Sequence, residues 1–257
     1  MKLHDRVIVV TGATGGIGRG IARSLLDDGA RVVLTDLDES RLEAVSGALD
    51  ADRTRTLGVA ADLSSESDIE RVVTATMECF GAVDGLVNNA GAIVMDTAWD
   101  ASLADWAMQL EVNVTASFAM ARAVGRELRK GNGGAIVNVA SNCGKVGYDN
   151  MAAYNASKAA VISLTRSLAR EWAGDRINVN AVCPGGVDTP MLAGVAEWLG
   201  PRIGVDAAEV LEGMGAAQLG RKIAPIEVGR VVAFLLGPDA TIIRGQSISI
   251  DGGDTPY

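Results

Sequence analysis

Arg6–Thr11 (RVIVVT) is an uninterrupted apolar run that breaks off into a glycine-rich turn and then a helical pattern over Ile17–Leu26. A run of Val and Ile without polar alternation suits a strand covered on both faces, as in a parallel sheet. Parallel neighbours cannot be joined by a tight turn and need a crossover, so this opening unit already points to an α/β architecture. Asp28-Gly29 stops the first helix, and the unit then recurs. Strands are expected at Arg31–Thr35, Thr56–Ala60, Gly85–Asn88, Ala135–Ala140, Ile177–Val182 and Gln246–Ile250, and helices at Glu39–Leu49, Ser65–Phe80, Ser102–Leu128, Met151–Trp172 and Pro225–Leu236. About seven parallel strands with right-handed crossovers predict a doubly wound α/β sheet with helices on both faces. No repeat or linker divides the chain, so residues 1–257 read as a single domain. One stretch, 186–224, is too long for an ordinary connection. Its Met191, Leu192, Trp198 and Leu211 are too apolar for a disordered segment, and it reads as a lid inserted over a binding site.

Composition removes several function classes. The 257 residues are 48% hydrophobic, enough to bury a substantial core, and the net charge of −9 argues against a nucleic-acid or anionic-membrane partner. Cys79, Cys143 and Cys183 are scattered, without CxxC spacing, so neither a disulfide framework nor a thiolate metal site is indicated. The single histidine, His4, leaves no credible base for a Ser-His-Asp hydrolase and no His-ligated zinc site. No apolar stretch approaches membrane-spanning length, and the N-terminus runs straight into a strand. The expectation is a soluble cytoplasmic protein without metal.

The turn after the first strand reads Thr11-Gly12-Ala13-Thr14-Gly15-Gly16-Ile17-Gly18. Glycines there let backbone approach a pyrophosphate, and the N–H groups and positive dipole end of the following helix attract it. The spacing is TGxxxGxG rather than GxGxxG, and a glycine-rich turn can also be purely structural; its place between strand and helix favours the dinucleotide reading. Asp36 follows the second strand, where a carboxylate can accept from an adenosine ribose diol and would repel a 2′-phosphate. Asp36 therefore favours NAD over NADP, with Arg19 and Arg41 as the residues that could reverse the preference. The other reading makes Asp36 a helix cap, a task for which Asp38 is at least as well placed.

Tyr154 and Lys158, four residues apart, share a helical face. Ser141 lies just past the C-terminal end of an expected strand, at the edge where doubly wound sheets bind ligands, and a helix beginning near Met151 would return Tyr154 over that edge. At this point the sequence resembles a short-chain dehydrogenase/reductase over essentially its whole length. The resemblance rests on TGATGGIG (Thr11–Gly18), Asp62-Leu63, Asn88-Asn89-Ala90-Gly91, Asn113 in EVNVT, Ser141 in NVAS, YNASK (Tyr154–Lys158), Pro184-Gly185 and the terminal Asp251–Gly253.

The resemblance implies a doubly wound (Rossmann) fold and an oxidoreductase that moves a hydride between NAD(H) and a small secondary alcohol, polyol or ketone. It implies Tyr154 as general acid/base, with its pKa lowered by Lys158 and the nicotinamide cation. Lys158 would also bind the nicotinamide ribose, Ser141 the substrate oxygen, and Asn113 a water linking Lys158 to solvent. For the cofactor it adds Leu37 beside Asp36, Asp62 and Leu63 framing the adenine, and Asn89, Ala90 and Gly91 along the ribose. Pro184, Gly185, Val187 and Thr189 would cover the nicotinamide, with Thr189 on the carboxamide. Family members commonly form homotetramers through helices matching Ser102–Leu128 and Met151–Trp172, and the C-terminal DTPY tail could complete a neighbour's pocket.

The substrate pocket is expected from Ile93–Met95, Asn142–Tyr148 and the lid, with Ser141, Asn142, Cys143, Tyr148, Met191 and Trp198 as candidate contacts. Val94, Met95, Tyr148, Met191 and Trp198 would give an apolar lining, while Asn142 and Lys145 could contact polar or anionic groups, Lys145 being equally readable as a solvated loop charge. The alternative activity is an NADPH-dependent 3-oxoacyl-thioester (acyl carrier protein) reductase, against which Asp36 counts. A noncatalytic dinucleotide-binding sensor is disfavoured by the intact Ser141, Tyr154 and Lys158.

Overall fold

Strand β1 (Val7–Thr11) shows why the first run is continuous: its side chains alternate between two cores, Val7 and Val9 on one face, Ile8 and Val10 on the other. The computed structural model describes residues 2–215 and 218–255. Pro256 and Tyr257 of the DTPY tail, and Ala216 and Ala217 of the lid, lie outside the described residues. β1, β2 (Arg31–Asp36), β3 (Thr56–Ala60), β4 (Gly85–Asn88), β5 (Gly134–Val139), β6 (Ile177–Pro184) and β7 (Ser247–Ile250) form one sheet. Its order is β3-β2-β1-β4-β5-β6-β7, and all pairs are parallel. This is the expected doubly wound sheet.

One core packs under α1 (Gly16–Asp27) and α9 (Pro225–Leu236), through Ile21, Leu25, Val228 and Val232. The opposite core holds Ile69 and Val72 of α3 (Glu66–Phe80), Met120, Val124 and Leu128 of α5 (Ala116–Lys130), and Leu168 of α6 (Ala152–Glu171). Each such fully buried aliphatic side chain contributes roughly 1.5–3 kcal/mol. The caps are local and polar. The Asp38 carboxylate accepts the Arg41 amide at the start of α2 (Glu39–Leu49), so Asp38 and not Asp36 is the cap, and Ser65 caps α3. The direction of winding reverses between β1 and β4, which opens a crevice beyond their C-terminal ends, at Thr11 and Asn88.

Two expectations change. Ser102–Leu128 is not one regular helix. α4 (Leu103–Leu110) passes into α5 through a π-helical turn at Glu111–Thr115. That turn carries Asn113, whose side chain satisfies both backbone groups of Ala92, accepting from N at 2.8 Å and donating to O at 2.9 Å. A wider turn is the usual way an α-helix accommodates such a functional insertion. The 186–224 stretch contains α7 (Pro190–Ile203) and α8 (Ala207–Gly213), which accounts for its apolar residues. Among the described residues no helix is long and apolar enough to cross a membrane.

Candidate active site

Beyond β1 the chain must turn sharply, and Gly12 does so at φ +62°, a conformation L side chains rarely adopt. A Cβ at Gly18 would fall 2.2 Å from the Gly12 carbonyl oxygen, so the turn and the first turn of α1 close on each other through glycine alone. Thr11 Oγ1 accepts the amides of Asn89 and Ala90, both at 2.9 Å, and Asn89 Nδ2 donates to the carbonyls of Thr11 and Gly12. These bonds lock the ends of β1 and β4 together beneath the crevice. The α1 N-terminus has no side-chain cap at Gly15 and no acidic residue in its first turn, leaving the amides of Gly16, Ile17 and Gly18 for an anionic group. Residues and backbone here therefore fit a pyrophosphate.

Asp36 closes β2 at the same crevice. Its Oδ2 accepts from Thr14 N at 2.9 Å and Thr14 Oγ1 at 2.6 Å, and its Oδ1 accepts from Leu37 N at 2.9 Å. Arg19, flagged as a rival determinant, donates from Nε to the Thr14 carbonyl at 2.9 Å. Leu37 is exposed. Asp62 has Oδ1 occupied by Ser64 N and Oγ, at the turn into α3, and Leu63 packs against the core beneath.

Val187 is buried and bridges to Ile223, following Pro184 and Gly185 at the end of β6. Thr189 caps α7: its Oγ1 accepts Leu192 N at 3.3 Å and donates to Val187 O at 3.2 Å. A Cβ at Gly16 would sit 2.6 Å from Thr189 Cγ2, which places this segment directly against the head of α1. The capping bonds are the role the structure gives the Thr189 hydroxyl.

The proposed reacting groups gather at the ends of β4, β5 and α6. Lys158 is buried, donates from Nζ to the Val139 carbonyl at 3.0 Å, and lies 5.6 Å from the centre of the Tyr154 ring. A Cβ at Gly91 would meet Asn113 Oδ1 at 3.1 Å and Lys158 Nζ at 3.3 Å, so both side chains converge on a place only glycine leaves open. Asn113 Nδ2 also donates to Ser157 Oγ at 2.9 Å, and Ser157 Oγ to the Tyr154 carbonyl at 2.8 Å. Ser157 is thus a positioning residue that the sequence reading passed over, although it stands inside YNASK next to Lys158. Both N–H groups of the Asn113 amide are taken, by Ala92 O and Ser157 Oγ, while Oδ1, which accepts Ala92 N, keeps a second acceptor position for water.

Ser141 leaves β5, accepts the Cys143 amide at 3.1 Å and donates to Asn142 Oδ1 at 3.2 Å. Burial holds the half-buried Tyr154 phenol well above its usual range, with Cys143 adding to it and Ser141 acting the other way. Burial pushes Lys158 down to about 8. The expected lowering of the Tyr154 pKa is therefore not provided by the chain's own charges: desolvation outweighs them. Burial likewise pushes the Cys143 thiol up.

Of the other pocket candidates, Asn142 Nδ2 donates to Tyr148 Oη and to Asp254 Oδ2, each at 2.9 Å. Met191 is exposed on α7, and Trp198 lies under the Arg202 guanidinium, 3.7 Å from the ring centre. Asp254, expected within the DTPY tail at a neighbour's pocket, bonds to Asn142 and Tyr148 of its own chain.

A profile described as short chain dehydrogenase matches residues 6–200. The chain is 37% identical to the NAD-dependent glycerol dehydrogenase of Listeria innocua, over 99% of this chain and 95% of that one. It is also 37% identical to the D-threitol dehydrogenase of Mycolicibacterium smegmatis, over 99% and 94%. A crystal structure of an actinorhodin polyketide ketoreductase variant with NADPH superposes with a TM-score of 0.94 at 36% identity, covering 98% of each chain. Sheet order, glycine turn and the Ser141–Tyr154–Lys158 cluster agree with this likeness, and the chain belongs to the short-chain dehydrogenases, oxidoreductases that work with a nicotinamide dinucleotide.

Proposed function

We propose that the protein is an NAD-dependent dehydrogenase that interconverts a small secondary alcohol or polyol and its ketone. The observation that carries the choice of cofactor is the Asp36 carboxylate, held at the crevice by Thr14 and Leu37. A carboxylate offers about four acceptor positions, of which three are used, so one remains for a ribose hydroxyl. A 2′-phosphate at the same place would face that negative charge. The amides of Gly16, Ile17 and Gly18 would hold the pyrophosphate. Asp62, Leu63, Asn89, Ala90 and Gly91 would line the adenosine side, and Pro184, Gly185, Val187 and Thr189 the nicotinamide side. When bound, the dinucleotide supplies the hydride acceptor or donor.

The chain's residues handle the proton and the oxygen. Ser141 Oγ donates to the substrate oxygen, exchanging its bond to Asn142 for one to substrate, and stabilises charge that develops there. Tyr154 Oη takes the hydroxyl proton in oxidation and returns it in reduction. Lys158 places a positive charge beside the phenol and favours its ionised form. Val139, Asn113 and Ser157 fix Lys158 and the first turns of α6. The relatives named for glycerol and D-threitol support a polyol substrate. Exposed Trp99, Leu103 and Phe118 on and beside α4–α5 support assembly into a homotetramer through these helices.

The test is NADH against NADPH binding, followed by turnover of a panel of small alcohols and ketones. Preference for NADH with oxidation of a polyol supports this reading. Preference for NADPH would transfer the case to thioester reduction, the direction in which the ketoreductase likeness points.

A further inference from the structure

The C-terminal residues fold back onto the loop that carries Ser141. Asp251 ends β7's run and organises the turn: its Oδ1 accepts Gly253 N at 3.1 Å, and its Oδ2 accepts Thr255 N at 3.0 Å and Thr255 Oγ1 at 2.5 Å. Asp251 and Thr255 are buried, and between them Asp254 is left exposed. Asp254 Oδ2 accepts from Asn142 Nδ2 and from Tyr148 Oη, both at 2.9 Å, and Asn142 Nδ2 also reaches Tyr148 Oη. Asn142 is buried, and its Oδ1 accepts the Ser141 hydroxyl. Asp254 is thus joined to the proposed substrate-oxygen donor through one amide side chain. Both of its bonds fall on Oδ2; Oδ1 accepts none from the described residues.

From this geometry we infer that Asp254, held by Asn142 and Tyr148, is a specificity-determining residue that accepts a hydrogen bond from a second hydroxyl of a polyol and turns anionic substrates away. The inference rests on the alcohol-oxidising reading and adds the residue that would select for a second hydroxyl and against an anion. A carboxylate accepts strongly and cannot donate, so it favours a partner rich in hydroxyl groups. A substrate carrying a carboxylate would meet like charge at the pocket mouth. Burial, together with the Asp254 carboxylate, holds the Tyr148 phenol well above its usual range, so Tyr148 stays protonated and keeps donating to Asp254. The donors from Asn142 and Tyr148 fix the carboxylate before substrate arrives, which lowers the entropy lost on binding.

The experiment compares kcat/KM with NAD for butane-2,3-diol, butan-2-ol and the anionic 3-hydroxybutyrate, in the wild type and in Asp254→Asn. The diol-to-butan-2-ol ratio should exceed one in the wild type and fall roughly tenfold or more in the variant, the scale of one hydrogen bond to a charged group. The 3-hydroxybutyrate-to-butan-2-ol ratio should rise. Proportional loss on all three alcohols would mean that the tail is a strut, and unchanged ratios would mean that Asp254 does not meet substrate; either overturns the inference. Should Asp254→Asn lose NADH binding, Tyr148→Phe decides on the same ratios. A wild type that oxidises butan-2-ol with no preference for the diol sinks this inference alone. A wild type that oxidises none of the three sinks the reading beneath it.

Discussion

Lys158 Nζ donates to the carbonyl oxygen of Val139 at 3.0 Å, so the ammonium group of α6 is tied to the last residue of β5 inside the protein. Its side chain is buried, and a single carbonyl is a poor replacement for the water an ammonium loses. That is why its pKa falls from 10.5 to about 8. A fall of this size corresponds to roughly 3 kcal/mol of strain against folding.

Replacing Lys158 with Met should therefore stabilise the fold while it removes activity. For a base whose folded pKa is depressed, the unfolded chain binds more protons between the two values, so the cost is full below pH 8 and fades toward 10.5. Leaving the Val139 carbonyl unpaired returns about 1–2 kcal/mol, for a net gain of about 1–2 kcal/mol at pH 7. At about 2–4 °C per kcal/mol, thermal melts should show a higher Tm for Lys158→Met at pH 7 and a shrinking difference as pH rises to 10. An equal or lower Tm at pH 7 would show that the lysine is better solvated than its burial implies.

Asp36 is the second point of test. The double variant Asp36→Ala with Leu37→Arg removes the carboxylate and places a cation on the exposed neighbour. Its ratio of kcat/KM with NAD to that with NADP should drop by at least about tenfold, since a hydrogen bond to a charged group is lost and a repulsion becomes an attraction. Steady-state rates with both cofactors settle it, and a constant ratio would place the ribose elsewhere.

Tyr154→Phe removes the hydroxyl and little else, so kcat should fall by about 10²–10⁴-fold while NADH affinity by fluorescence titration stays close to wild type. Near-normal turnover would refute the acid/base role. Ser141 is the group that pulls the Tyr154 pKa down against burial. Oxidation needs the ionised phenol, so Ser141→Ala should move the rising limb of its pH–rate profile to higher pH as well as slow it. A profile displaced to lower pH would contradict the geometry.

The sequence exposed whatever is periodic or local. β1 could be read from a run of buried Val and Ile because both of its faces are covered, and the turn at Gly12–Gly18 because its glycines are required by close backbone approach. That Ser141, Tyr154 and Lys158 come together was legible because their placement follows helix and strand geometry. The π-helical turn at Glu111–Thr115 was not: it carries Asn113, whose side chain pairs with Ala92, 21 residues away, and no local pattern encodes such a pairing. That Asp254 of the DTPY tail reaches its own chain's site escaped notice for the same reason: its partners Asn142 and Tyr148 are brought to it by the fold, 112 and 106 residues apart in the chain. The burial that opposes ionisation of Tyr154 was not legible, because residue spacing registers a neighbouring charge but not the depth at which it lies.

The packing of α1 on α9 gives the last prediction. A Cβ at Gly229 would stand 2.3 Å from the Gly20 carbonyl oxygen and 2.6 Å from Ser24 Oγ. A Cβ at Gly20 would in turn meet the Pro225 carbonyl at 2.4 Å, so the two helices touch through backbone at paired glycines. Gly229→Ala cannot be absorbed by a side-chain rotation; α9 must move off α1, loosening Ile21, Leu25, Val228 and Val232 beneath. Overpacking of this kind costs about 1–3 kcal/mol. Gly213, at the end of α8, has open space at the corresponding position, and Ala there removes backbone freedom from the unfolded chain for a gain of about 0.4–1 kcal/mol. Urea denaturation of the two variants should thus shift in opposite directions from wild type. Because α1 presents Gly16, Ile17 and Gly18 to the crevice, Gly229→Ala should also weaken NADH binding, whereas Gly213→Ala should leave it unaltered. Equal stability of the two variants would show that the helices separate at no cost, and that the glycine pair does not set the position of α1.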